Sequence, residues 1–171
     1  MPTHNPMKDE EIERYMEEER AKFIWPNAEY PAIIVETLET LSKAGDPMWV
    51  IKSKLTNLDL TTTIKSWYVF KTKPNIENYK LGSGDIDQDL YNKDLKAYMF
   101  CTKKIRDLFE AVDKLDYYEN NKVNGENVIN ADELQGCQYT VLTKVTKDDN
   151  GERMVINNFK KLDIIDDDLP F

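Results

Sequence analysis

Three β-branched, partly alternating stretches precede one long amphipathic segment, and two more follow it. That order constrains the fold more than any other feature of this 171-residue chain. From Tyr30 to Leu41, Ile33, Val35 and Thr37 alternate with Ile34, Glu36 and Leu38, the period-two pattern of a strand. Lys43-Ala44-Gly45-Asp46-Pro47 is a turn. Met48–Leu58 predicts a second strand and, after the polar Asp59, Thr61–Lys71 predicts a third. Residues 93–115 predict the clearest helix, because Leu95, Tyr98, Met99, Ile105, Leu108, Phe109, Val112 and Leu115 recur every three or four positions, with Asn92 as cap. Gln138–Lys147 and Arg153–Leu162 predict the closing strands, joined by the hairpin signal Asp148-Asp149-Asn150-Gly151. Residues 9–24 predict a further helix, with Ile12, Tyr15, Met16 and Phe23 near one stripe among glutamates, ended by Trp25-Pro26.

Five strands with a helix between the third and fourth is the connectivity of an OB-fold, a small Greek-key barrel. The expected class is therefore mainly β with helices (α+β). The expected organisation is an acidic helical arm over 1–29, the barrel over 30–161 and an acidic tail over 162–171. The polar stretch 72–92, with Gly82-Ser83-Gly84 inside it, is long enough to be functional or disordered. An Asn-rich segment, 120–130, leads toward the last two strands.

Composition removes several function classes. The one histidine, His4, sits between prolines near the N-terminus, which disfavours histidine-based catalysis and most zinc sites. Cys101 and Cys137 form no disulfide framework and read as core cysteines. Asp85-Ile86-Asp87-Gln88-Asp89 imitates the start of a calcium loop, but Leu90 and Lys96 stand where Gly and a bidentate Glu are required. Neither the dinucleotide nor the Walker glycine pattern is present. No apolar run has the length of a membrane span, and the N-terminus lacks the form of a signal peptide. The expectation is a cytoplasmic, non-catalytic protein with no cofactor and no metal.

The formal net charge of −9 is unevenly placed. Of 32 acids and 23 bases, residues 23–161 hold 21 and 19, so two acidic ends flank a nearly neutral body. The chain closes Asp166-Asp167-Asp168-Leu169-Pro170-Phe171. This run resembles the C-terminal tip of bacterial single-stranded DNA-binding proteins: consecutive aspartates, an aliphatic residue, proline and phenylalanine. The compact layout is more similar to bacteriophage-encoded members, which pair an OB body with an acidic tail ending in an aromatic. The long linker of the bacterial proteins is missing. The resemblance covers only the tip. It implies coating of single-stranded DNA in replication, recombination or repair inside a bacterial host, with partner proteins recruited through Asp166–Phe171. Physically, Leu169 and Phe171 are apolar anchors, Pro170 stiffens the approach, and a basic-rimmed hydrophobic pocket would capture them. Such a tail can also compete with nucleic acid for the protein's own basic groove.

Binding single strands requires lysines along the backbone path and aromatic platforms under the bases. The second strand offers Lys52 and Lys54, and the third Lys65, Trp67 and Lys71 on one face, opposite Ile64, Ser66, Tyr68 and Phe70. Trp67 reads either as the stacking platform or as a barrel cap. Trp49, in step with Ile51 and Leu55, reads as core. Tyr79, Lys80, Arg153 and Lys160 are further candidates. The rival class is an acidic protein-interaction module, a DNA mimic or inhibitor, for which these lysines and Trp67 would be irrelevant.

Overall fold

In the computed structural model the described residues are 8–22, 24–57, 63–149 and 151–162. Helix α1 (Asp9–Lys22) opens on Asp9, Glu10 and Glu11, charges that favour a helix N-terminus. Strands β1 (Glu29–Leu41), β2 (Pro47–Leu55) and β3 (Thr63–Val69) follow. After a 3-10 turn at Ile76–Tyr79 come α2 (Gln88–Ala111), α3 (Leu115–Asn120) and the small hairpin β4 (Lys122–Val123) and β5 (Glu126–Asn127). Strands β6 (Gln138–Asp148) and β7 (Gly151–Lys160) close the sheet.

Among the described residues the architecture is α+β: three helices and a five-stranded antiparallel sheet in the order β3-β2-β1-β6-β7, with β4 and β5 forming a separate pair. Strand β1 serves both halves of the sheet. Its start pairs with β6 from Glu29↔Leu142 to Ile33↔Gln138, and its remainder pairs with β2 from Ala32↔Leu55 to Leu41↔Pro47. The register shifts between Ile34 and Glu36, and a bulge of that kind bends a strand. The two edge strands, β3 and β7, approach each other. Tyr68 of β3 and Phe159 of β7 have ring centroids 6.1 Å apart.

Alternation sets the core. Tyr30, Ala32 and Ile34 of β1, Trp49, Ile51 and Leu55 of β2, Ile64 and Tyr68 of β3, and Tyr139 and Val141 of β6 turn inward. Helix α2 closes this interior with Ile105, Leu108, Phe109 and Ala111, spaced for one helical face. Polar atoms enter with partners: Ser53 Oγ and the Tyr139 hydroxyl are 2.7 Å apart and buried. Thr143 Oγ1 donates toward the carbonyls of Trp25 and Ala28, pinning the approach to β1 onto β6. The Ser66 and Tyr68 hydroxyls lie beside this network without meeting hydrogen-bond geometry among the described residues.

Several sequence-based boundaries move. Strand β2 ends at Leu55 and β3 at Val69, so Phe70 and Lys71 lie past the strand that was expected to carry them. Helix α2 starts at Gln88, not near residue 93, because Asp87 accepts a hydrogen bond from the Leu90 N–H (3.2 Å) and acts as the cap. Asn92 sits inside the helix and accepts from Gln88 Nε2 at 3.0 Å. The helix stops at Ala111, with Asp113 at φ 61° just beyond it. The stretch 72–92 is ordered by the 3-10 turn and a Lys80↔Ile86 bridge. In 120–130, Asn124 and Gly125 at φ 54° and 80° make the tight turn of the β4–β5 hairpin, a signal Asn-Gly carries in the sequence.

Candidate nucleic-acid interface

Cross-strand register lays the outward side chains of β1, β2 and β3 in rows. Glu36, Lys52 and Lys65 form one row, Leu38, Val50 and Trp67 the next, and Ile33, Lys54 and Thr63 the row on the other side. Lys54 and Lys65 are exposed, while Lys52 and Trp67 are half-buried. The buried residues Ile64, Ser66 and Tyr68 alternate with them, so this face is the solvent side of a strand whose other side is core. A patch results in which the Trp67 row, with Val50 and Leu38, adjoins the row of Lys52 and Lys65, and Lys54 lies one row further along the same face.

Lys52 is not wholly available, since its Nζ lies 2.7 Å from Glu36 Oε2. Exposed pairs of this kind are worth only about 0–1 kcal/mol, so a phosphate could displace the carboxylate. Lys54 and Lys65 make no salt bridge among the described residues.

Arg153, expected only as a minor candidate, joins the patch from the far edge of the sheet. Its guanidinium carbon sits 4.9 Å from the Trp67 ring centroid, a cation–π contact across β7 and β3. Lys104, which the sequence reading missed, approaches from α2. Its Nζ donates to the Trp67 carbonyl at 2.7 Å and lies 4.7 Å from the Tyr68 ring centroid. Desolvation of that ammonium lowers its pKa, although the side chain as a whole is exposed. Nothing in the local sequence marks Lys104, because only tertiary packing brings α2 to β3.

The remaining candidates do not assemble with this patch through any contact recorded among the described residues. Lys71, beyond the end of β3, donates to Asp46 at 2.7 Å, and that hydrogen bond raises its pKa. Tyr79 donates to Asp94 at 2.6 Å and packs edge-on to Tyr91 at 5.4 Å. The bond to Asp94 raises its pKa too. Lys80 pairs with Glu77 at 2.6 Å and Lys160 with Glu29 at 3.1 Å. Trp49 is buried at 5% exposure and meets Phe70 and Phe109. The calcium-like run is used structurally, with Asp87 capping α2 and the Asp85 carbonyl accepting from the Leu81 N–H.

A cleft of about 670 Å³ opens elsewhere, between Thr40, Leu41, Met48, Trp49, Phe70 and Ile129, with Glu39 at its rim. Its apolar wall and acidic rim suit no phosphate backbone. The tail candidates Asp166, Asp167, Asp168, Leu169, Pro170 and Phe171 lie outside the described residues. No helix among the described residues is long and apolar enough to cross a membrane. No protein-family model matches this chain, and comparison with curated proteins finds no relative.

Proposed function

We propose that this chain is a non-catalytic single-stranded DNA-binding protein built on an OB-type barrel, of the bacteriophage-encoded kind. The observation that carries the reading is that Lys52 and Lys65 sit in the row next to Trp67, Lys54 in the row beyond, and Arg153 over the indole, all on one outward face. Sugar–phosphate backbone would follow the lysines while a base stacks at the indole. Stacking is indifferent to base identity, so binding would be sequence-tolerant. The barrel assignment is supported by the bent β1 shared between two sheet halves and by the meeting of β3 with β7. In OB-folds, the second and third strands are also the oligonucleotide face.

The acidic tip would recruit replication, recombination or repair proteins, as its wording implies. The near-neutral body matches modest affinity with strong salt dependence. If about four phosphates are neutralised, log K should fall with log salt at a slope near −3. The test is titration of labelled oligo-dT and of duplex of equal length at low and moderate salt. A clear preference for oligo-dT is expected. Equal affinity for duplex, or no binding at about 50 mM salt, refutes the reading and favours the acidic interaction module.

A further inference from the structure

Helix α2 carries an exposed face that the proposed DNA site does not use. Phe100 is 72% exposed and the adjacent Met99 59%. Phe100 lies between Lys96, one turn before it, and Lys103, one turn after it, and these spacings share a helix face. Lys93 continues the basic edge. Lys103 pairs with Asp107 at 2.5 Å, whereas Lys93 and Lys96 make no salt bridge among the described residues. An exposed phenylalanine rimmed by lysines suits an acidic segment with apolar anchors.

We propose that this face docks the chain's own residues 163–171, holding the tip until a partner takes it. The segment has the complementary chemistry: Asp163, Asp166, Asp167 and Asp168 interspersed with Ile164, Ile165, Leu169 and Phe171. It also starts in the right place. Phe159, Lys160 and Lys161 wall a small cleft with Asp107, Glu110 and Ala111, so the chain leaves β7 beside the lower half of α2. Asp107 is one turn below Lys103 on the same face. At 1.5 Å per residue, Phe100 lies only about 10 Å further along the axis. Nine extended residues reach about 30 Å, which leaves room for a winding path.

Two other surfaces fit less well. The lysine–tryptophan patch meets β7 at Arg153, seven residues and about 23 Å back along the strand from Lys160, nearly the full reach of the segment. The apolar cleft beside Trp49 is lined by Glu39 and, among the described residues, by no lysine or arginine that could hold aspartates. The dock on α2 stands whether or not the β2–β3 face binds DNA.

The test compares amide NMR spectra of the full chain with those of a full-length variant carrying Asp166→Asn, Asp167→Asn, Asp168→Asn and Phe171→Ser. Amides of residues 93–103 should shift between the two, those of 50–54 on β2 should not, and the difference should shrink as added salt screens the lysines. Phe100→Ser, and separately Lys96→Glu with Lys103→Glu, should move the tail's own amides to their high-salt positions. Shifts centred on Lys52, Lys65 and Trp67, or none outside the tail, overturn the proposal. So does a difference that fades on dilution, which would put the tail on a second copy. No DNA is present, so failure of the single-strand reading would appear only in the oligonucleotide titration.

Discussion

Replacing Trp67 by alanine tests the interface most directly, because the two faces of the sheet predict opposite outcomes. Trp67 points outward and is half-buried, while its neighbours Ser66 and Tyr68 point inward. Its recorded side-chain partner among the described residues is Arg153 at 4.9 Å, an exposed cation–π contact worth about 0.5–1 kcal/mol. With the partial burial added, the folding cost should be about 1–2 kcal/mol, below the ~3–5 kcal/mol of a tryptophan removed from a core. Loss of a stacked base should cost about 1–3 kcal/mol of binding, or roughly 5- to 150-fold in Kd. Trp49→Ala is the control. Trp49 is buried against Phe70 and Phe109, so it should lose about 3–5 kcal/mol of stability and leave the affinity of the folded fraction unchanged. The assay pairs oligo-dT anisotropy at about 50 mM salt with urea unfolding of the same samples. Oligo-dT should also quench tryptophan fluorescence more in the wild type than in Trp67→Ala. If Trp67→Ala costs core-sized stability and spares Kd, Trp67 is a structural cap and the interface is misassigned.

Other expectations follow from named contacts. Lys52→Gln with Lys65→Gln should make the log K against log salt slope shallower by about 1.4, at about 0.7 per single-strand phosphate. Tyr139→Phe strands the buried Ser53 hydroxyl and should cost about 1–3 kcal/mol in denaturant unfolding. Burial pushes the Tyr139 hydroxyl from 10.0 up to about 12, and burial also raises Tyr68. Both stay protonated in the fold after the unfolded chain has ionised. The Tyr139 contribution is full below pH 10 and is lost as pH rises toward 12, at up to about 1.4 kcal/mol per unit, and Tyr68 acts in the same direction. Tyr139→Phe should remove its share of that alkaline slope. Deleting Phe171 should abolish capture of replication or repair proteins while leaving oligo-dT affinity unchanged, because no aspartate is lost.

The strand pattern was legible where β2 and β3 each have one buried and one exposed face, so period two survives in Ile64-Lys65-Ser66-Trp67-Tyr68. The same logic put Trp49, in step with Ile51 and Leu55, in the core, where it is buried. In β1 the register shift between Ile34 and Glu36 breaks the expected alternation of Ile33, Val35 and Thr37 with Ile34, Glu36 and Leu38, and nothing from Val35 to Leu41 is buried. Boundaries were less legible where polar residues do structural work. Asp87 looks like part of a calcium loop until its carboxylate is seen capping α2, and that cap adds a turn of helix with little apolar signal. Lys71 looked like a continuation of β3, yet alternation cannot reveal where pairing stops, and β2 has no partner for it beyond Met48↔Val69. Arg153 and Lys104 reach Trp67 from elements 86 and 37 positions away in the chain. No local pattern encodes such distances.

The shared strand β1 also orders assembly in time. The β1–β2–β3 meander closes through short turns and can form early, since it involves little loop-closure entropy. The β6–β7 hairpin is equally local. Joining them requires the start of β1 to find β6 across the whole of α2, and Thr143 meets the Ala28 carbonyl from 115 positions away. That long-range closure, rather than either hairpin, should limit the folding rate. Substitutions at Thr143 or in the Glu29–Ile33 pairing should therefore slow folding more than equally destabilising changes within β2 and β3.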